Sequence, residues 1–258
     1  MLREHARPRD TTAAAALLIL PEHGQWKGTL TARYYAGDWT ADEIAAGLAG
    51  DPIEEYVAKN ILVNTGIHLI EDLLIGAGGT AYTNATSYIG VGGANPTALT
   101  GTIGLTNGSA AVTGGGTNFT GELVVGDMIR ADTDGTWYRV ASIASNTALT
   151  LATAYTGTTA SGLAASREAL AATQTDLTAP TNKIKKAMDA TFPSRSGQTI
   201  TWRATLGTSE GNYPLNEFGI FNGGPAFATG TMLNRIVQYL GTKSAATTLQ
   251  LTGTVAIS

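Results

Sequence analysis

The chain of 258 residues contains no cysteine. That removes disulfides, zinc–thiolate centres and thiol nucleophiles, and leaves the redox compartment open. Charge is scarce as well. Asp, Glu, Lys and Arg together make 14 % of the chain, against roughly a quarter in average globular domains. The formal net charge is −4, and the one short basic cluster, Lys183, Lys185 and Lys186, reads as a solvated strand face. A nucleic-acid partner needs a dense basic patch and is not expected. No apolar run approaches the roughly 20 residues that span a bilayer, so membrane insertion is not expected either.

Histidine is limited to His5, His23 and His68, which leaves little material for a Ser-His-Asp triad. His68 has Glu71 and Asp72 nearby and reads as a surface helix residue. The carboxylate pairs Glu210/Glu217 and Asp132/Asp134 flank turns, with no spacing diagnostic of glycoside cleavage. Asp132-x-Asp134-Gly135 begins like a calcium loop, but the twelfth position is Ile143 where the loop needs glutamate. The glycine-rich stretches Gly76–Thr80 and Gly90–Thr97 lack the Gly-Lys-Ser/Thr ending that holds phosphate. Asn84, Asn107 and Asn118 open Asn-x-Ser/Thr triplets and read as turn chemistry. No enzyme, metal or cofactor is expected from these residues.

What takes the place of charge is Gly, Ala and Thr, a composition suited to strands and tight turns. Lys27–Tyr35 reads as a strand. Thr40 and Glu43 are spaced as a capping box for a short helix. A strand is expected over IEEYVAKNILV. A helix N-capped by Asn64 follows, with Ile67, Ile70, Leu73 and Leu74 on one face. SYIGVGG is the next strand, and a further turn of helix is allowed around Arg167–Ala172. Strands are expected at Lys183–Phe192, Thr199–Leu206, Leu215–Phe221, Met232–Leu240 and Thr248–Ile257. Ile200, Trp202, Ala204 and Leu206 alternate with polar neighbours, as do Leu249, Leu251, Gly253, Val255 and Ile257. A period of two means one buried face and one open face.

Between Leu99 and Ala165 the texture changes to short Val/Ile/Leu/Thr runs. Asn107-Gly108, Gly114–Gly116, Gly126-Asp127, Asp134-Gly135 and Ser145-Asn146 separate them. Asn-Gly and Asp-Gly are strong hairpin signals. The expected fold class is therefore mainly β, an antiparallel β-sandwich with a short N-terminal helical segment and a small inserted β-domain. Residues 1–50 form an N-terminal arm, 51–99 and 166–258 a discontinuous sandwich domain, and 100–165 the insertion. Insertions of this kind are tolerated in exposed loops whose ends lie close together. In the arm, Arg3, Arg7 and Arg9 precede an apolar run from Ala13 to Leu20. Pro8 and Asp10 interrupt it and no small-x-small cleavage site follows, so it reads as a buried strand or a partner-binding arm with the three arginines as candidate assembly anchor. In the insertion, Trp137, Tyr138 and Tyr155 have two readings. They fill the small core, or they form a surface contact that stacks on sugar or docks a receptor.

Two blocks carry a family resemblance. KNILVNTGIHLIEDLLIGAGG precedes SYIGVGGANPTALT, and GQTITWRATLGTSEGNYPLNEFGIFNGG precedes TMLNRIVQYLGTKSAATTLQLTGTVAIS. Asn216–Phe221 and Met232–Arg235 carry the match. This pattern resembles tailed-bacteriophage virion structural proteins of the tail-fibre, collar, baseplate or head-decoration kind. The stretch from Gly101 to Gly162 resembles small modules of phage head and tail proteins. The likeness runs from Lys59 to Ser258. It implies a non-enzymatic virion subunit, made in the host cytoplasm and placed on the particle surface. Such a subunit assembles with other virion proteins and with copies of itself, a trimer being favoured. A host cell-surface glycan is the partner in the alternative, receptor-binding reading, and an envelope polysaccharide hydrolase is a distant third.

Overall fold

The computed structural model describes residues 26–257 except 60 and 228. The first body segment holds β1 (Trp26–Ala36), α1 (Ala41–Ala45), β2 (Glu54–Lys59), β3 (Ile61–Leu62), α2 (Asn64–Ile75) and β4 (Tyr88–Gly92). A contiguous module follows: β5 (Thr97–Ala98), β6 (Thr102–Leu105), β7 (Ala111–Gly115), α3 (Phe119–Glu122), β8 (Met128–Ala131), β9 (Tyr138–Ser145), β10 (Ala148–Leu151), β11 (Ala160–Leu163) and β12 (Ala165–Glu168). The body then resumes with β13 (Lys183–Ala187), β14 (Ser194–Ser196), β15 (Thr199–Leu206), β16 (Glu217–Phe221), β17 (Met232–Val237) and β18 (Thr247–Ile257).

The body is an antiparallel β-sandwich. One sheet runs β14-β15-β18-β1-β2 and the other β13-β4-β16-β17-β3. Alternation along the strands decides what meets between them. Leu30, Ala32 and Tyr34 of β1, Trp202, Ala204 and Leu206 of β15, and Leu249, Leu251 and Val255 of β18 face Ile89, Val91, Phe218, Ile220 and Ile236 of the opposite sheet. Each fully buried Leu, Ile, Val or Phe side chain among them contributes roughly 1.5–3 kcal/mol. Gly253 interrupts the apolar series of β18 for a steric reason: a Cβ there would lie 3.0 Å from Ile220 and 3.1 Å from Phe218.

The outer face of the second sheet is also covered. Gly90 and Gly92 of β4 point outward without side chains, and Leu177, Ala179 and the Glu217 carboxylate occupy that space. The strand of the IGVG motif therefore carries a floor on which the segment after β12 can lie. Helix α2 is fastened to β17 in a related way. A Cβ on Gly66 would come within 2.5 Å of the Leu233 backbone, so only glycine permits this approach.

The module's sheet runs β11-β6-β7-β10-β9-β8-β12-β5. β11 pairs with β6 and β12 with β8, and Ala164 alone separates β11 from β12. One bent strand thus joins both ends of the sheet and closes it into a small barrel. Ile103, Phe119, Ile129, Val140 and Leu149 fill its interior.

Several expectations are corrected. Residues 26–36 belong to no arm: β1 lies between β18 and β2 in the body. The independent pairing of the module spans 97–168 rather than 100–165. Asn64 is the first residue of α2, its N-cap is Val63, and no side chain caps it. Leu73 and Leu74 lie exposed, while Gly66 and Leu69 make the buried contact. Arg167 and Glu168 are in β12, not in a helical turn. Lys185 is buried: its Nζ donates to the carbonyls of Ala226 and Thr229 and sits 4.2 Å from the Phe221 ring. Thr40 and Glu43 do form the capping box.

Burial also tunes the tyrosines. The Tyr34 hydroxyl donates to the Leu240 carbonyl at 2.6 Å inside the sandwich, and desolvation holds its pKa well above the ordinary value. Tyr82 is raised by burial in the same way. Tyr213 is pushed up to about 12 by burial and by Glu217. Tyr56 is pushed up to about 12 by burial and then by the Glu54 carboxylate. The folded values are raised, so stability from these groups is whole below about pH 10, the unfolded tyrosine value, and is lost as pH climbs through the folded values. The midpoint of thermal unfolding is expected to fall above about pH 10, with tyrosinate absorbance of the folded protein lagging that of the denatured chain. Superimposable titration curves for folded and denatured protein would refute this.

Candidate functional site: the cleft between module and body

The segment that returns from the module crosses β17 over a buried ionic cluster. Arg235 and Glu217 are 0 % exposed, and Glu168 is 3 %. They come from adjacent strands of the body and from the last strand of the module. Arg235 Nη2 donates to Glu217 Oε2 at 2.7 Å and to Glu168 Oε1 at 2.9 Å. Nε donates to Glu217 Oε2 at 3.2 Å, and Nη1 to the Ala169 carbonyl at 2.6 Å and Gln174 Oε1 at 2.8 Å. All five guanidinium N–H groups are thereby used.

Two carboxylates around one guanidinium leave an excess of negative charge, and backbone amides answer it. Glu217 accepts from Thr178 N at 2.9 Å and Ala179 N at 2.7 Å, and Glu168 Oε2 accepts from Asn95 N at 3.0 Å. The cluster therefore fixes two loops, 94–95 and 178–179, by charge-assisted bonds.

Those two loops form one wall of an open cleft of about 610 Å³. Gly93, Ala94, Asn95, Pro180, Thr181 and Asn182 lie on that wall. Arg130 and Gly135 of the module and Pro214, Asn216, Tyr239 and Thr242 of the body complete it. None of these described lining residues is acidic. Arg130 extends from β8 with its guanidinium carbon 4.7 Å from the centroid of the Trp137 ring. Its Nη1 reaches Asn216 Oδ1 at 3.4 Å, and that oxygen also accepts from Trp137 Nε1 at 3.2 Å. Arg130 Nε is buried and has no hydrogen-bond partner among the described residues.

The three aromatic candidates are placed inside the molecule. Trp137, Tyr138 and Tyr155 are 3 %, 5 % and 4 % exposed. Trp137 packs with Met128 of the module and Val237 of the body, so it is the seam between them. Tyr138 and Tyr155 lie 5.4 Å apart at their ring centroids within the barrel core, and the Tyr138 hydroxyl is hydrogen-bonded to Thr156 Oγ1 at 2.8 Å. A surface contact through these rings gives way to a packing role. Arg3, Arg7 and Arg9 lie outside the described residues.

Of the carboxylates weighed in the sequence, Asp134 closes its turn by accepting from Thr136 N at 3.0 Å, and Glu210 pairs with Lys186 at 2.7 Å. Glu217 is far from either role, locked against Arg235. Among the described residues no three His, Asp or Glu side chains come together as a metal site.

No family model, no curated protein and no solved structure matches this chain. Among the described residues no helix is long and apolar enough to cross a membrane. No catalytic or metal-binding pattern in the sequence points to Arg235, Glu168, Asn216 or Arg130. The available signal was the pair Asn234-Arg235 set between apolar residues in Met232–Val237.

Proposed function

We propose that the chain is a non-enzymatic structural subunit of a tailed-phage particle, acting through assembly with copies of itself and with other particle proteins. The sequence resemblance supports the particle. The observation that carries the assembly role is the free end of α2. Its second half leaves the body, with Leu74 84 % and Ile75 77 % exposed. Leu74 also lines, with Leu62, Ile67, Ile70 and Glu71, a largely apolar groove of about 280 Å³.

Uncovered apolar surface of this kind is a hallmark of interaction sites. Knob and groove occur on the same helix, so one copy offers what another needs, as closed symmetric assemblies require. Val57, Val124 and Val125 are further exposed aliphatic side chains. A second reading, binding of a host-surface glycan, is favoured by the polar cleft with Arg130, whose Nε has no partner among the described residues.

The purified protein is expected to scatter light as an oligomer. Leu74→Glu combined with Ile75→Glu is expected to reduce it to single chains with unchanged circular dichroism, since those side chains carry no interior packing. An antibody against the chain should label intact particles made by the phage that encodes it. A wild-type protein that stays monomeric at every concentration, on particles that take no label, ends the reading.

A further inference from the structure

We propose that the cleft between module and body is a binding site for a sugar unit bearing a carboxylate, as in an acidic polysaccharide. The proposal concerns the single chain and does not rest on the assembly reading. Its first support is the state of Arg130. Among the described residues no carboxylate lies within ion-pair distance of its guanidinium, which has one long hydrogen bond at 3.4 Å and a buried Nε with no partner. A buried donor left unpaired calls for an explanation, and the guanidinium fork fits a carboxylate in two-point fashion. The Trp137 ring behind it fixes the plane of the fork. Arg235 shows the contrast within the same molecule, with every donor used and two carboxylates in place.

The second support is the rest of the wall. Asn95, Thr181, Asn182 and Thr242 are exposed and present amide and hydroxyl groups to the cleft. The half-buried Tyr239 adds a ring whose hydroxyl is hydrogen-bonded to Thr242 at 3.1 Å. Neutral donors and acceptors with one aromatic ring suit a ring of hydroxyls better than an apolar side chain. The volume of about 610 Å³ falls within the range of small-ligand sites.

The third support is backbone strain. Ala94 has φ of 59°, a left-handed conformation that a residue with a Cβ rarely takes. The Glu168 carboxylate holds it there by binding the next amide, Asn95 N. Strain kept in place by a buried ionic cluster at the edge of a cleft is a pattern of ligand sites. The two carboxylates around Arg235 thus act as positioning groups for both loops of the wall.

The test is ligand-observed NMR on the full chain, titrated with glucuronate, galacturonate and N-acetylneuraminate, and in parallel with glucose, galactose and acetate. At least one acidic sugar is expected to bind about tenfold more tightly than the neutral sugars and acetate, a difference of about 1.4 kcal/mol. Arg130→Gln should remove the preference for acid. Asn182→Ala, at an exposed position that holds no other element, should weaken the acidic sugar and leave acetate unchanged; it decides the matter if Arg130→Gln does not fold. Acidic sugars that bind no better than neutral ones, or no better than acetate, overturn the proposal. So does a folded Arg130→Gln protein that keeps the preference.

Discussion

Arg235→Ala is expected to cost about 3–5 kcal/mol of folding free energy, because it strands two carboxylates in the interior. The loss is not that of a surface ion pair, which is worth about 0–1 kcal/mol. Glu217 and Glu168 would keep their backbone donors, Thr178 N, Ala179 N and Asn95 N, and lose the only cation that touches them among the described residues. The triple variant Arg235→Met, Glu168→Gln, Glu217→Gln is expected to recover much of the stability, since desolvation of the charges disappears together with their attraction. Urea denaturation of the two proteins measures both effects. Amide exchange should quicken at Asn95, Thr178 and Ala179 in the single variant. A single variant within about 1 kcal/mol of wild type would mean that water reaches the cluster and that the loops are held by something else.

Trp137→Ala is expected to be nearly as costly, about 3–5 kcal/mol, and its character differs. The indole lies between Met128 and Val237, donates to Asn216 and supports the Arg130 guanidinium. Its removal empties the seam and leaves each β-core whole. The wild-type protein is expected to melt in one transition, and the variant in two, with protease cutting first near the strands that cross from body to module. Trp137→Phe should fall between them, keeping most of the volume and losing the N–H bond. A Trp137→Ala protein that melts like wild type and is cut no faster would restore an exposed contact role for this ring.

Much of the body was legible because half-buried strands declare themselves by alternation. β15 and β18 lie where Ile200–Leu206 and Leu249–Val255 alternate, and α1 begins at the capping box of Thr40 and Glu43. The pattern fails where a strand is covered on both faces. Every residue of β17 is buried, Arg235 included, so no periodicity marks which side chains meet the interior and which meet the segment after β12. Lys185 looked solvated for the complementary reason. Its charge is satisfied by carbonyls from a loop some forty residues on, and its stem is covered by Phe221.

In α2 the apolar residues promised a core face, yet the contact is made through Gly66, where absence of a side chain is the attraction. The cleft could not be seen in the sequence at all. Its wall is assembled from loops around 94, 135, 181, 215 and 240 and from Arg130 of β8, each unremarkable alone. Trp137 shows the limit of composition: an aromatic beside a Gly turn fits a sugar platform and a domain seam equally well, and only the position of Val237 and Met128 separates them.

The place of β18 in its sheet has a consequence for how the chain reaches this structure. β18 lies between β15 and β1, and Thr29 meets Thr254 across 225 residues of sequence. During synthesis the barrel can close as soon as residue 168 is available, since its pairings are all internal. The first body sheet stays in two unjoined halves, β14–β15 and β1–β2, each with a bare strand edge that invites pairing with other chains. Contacts of such long range close slowly and are costly in chain entropy. The growing molecule is thus a finished barrel carried on an open sheet, waiting for the one strand that can unite its two sides.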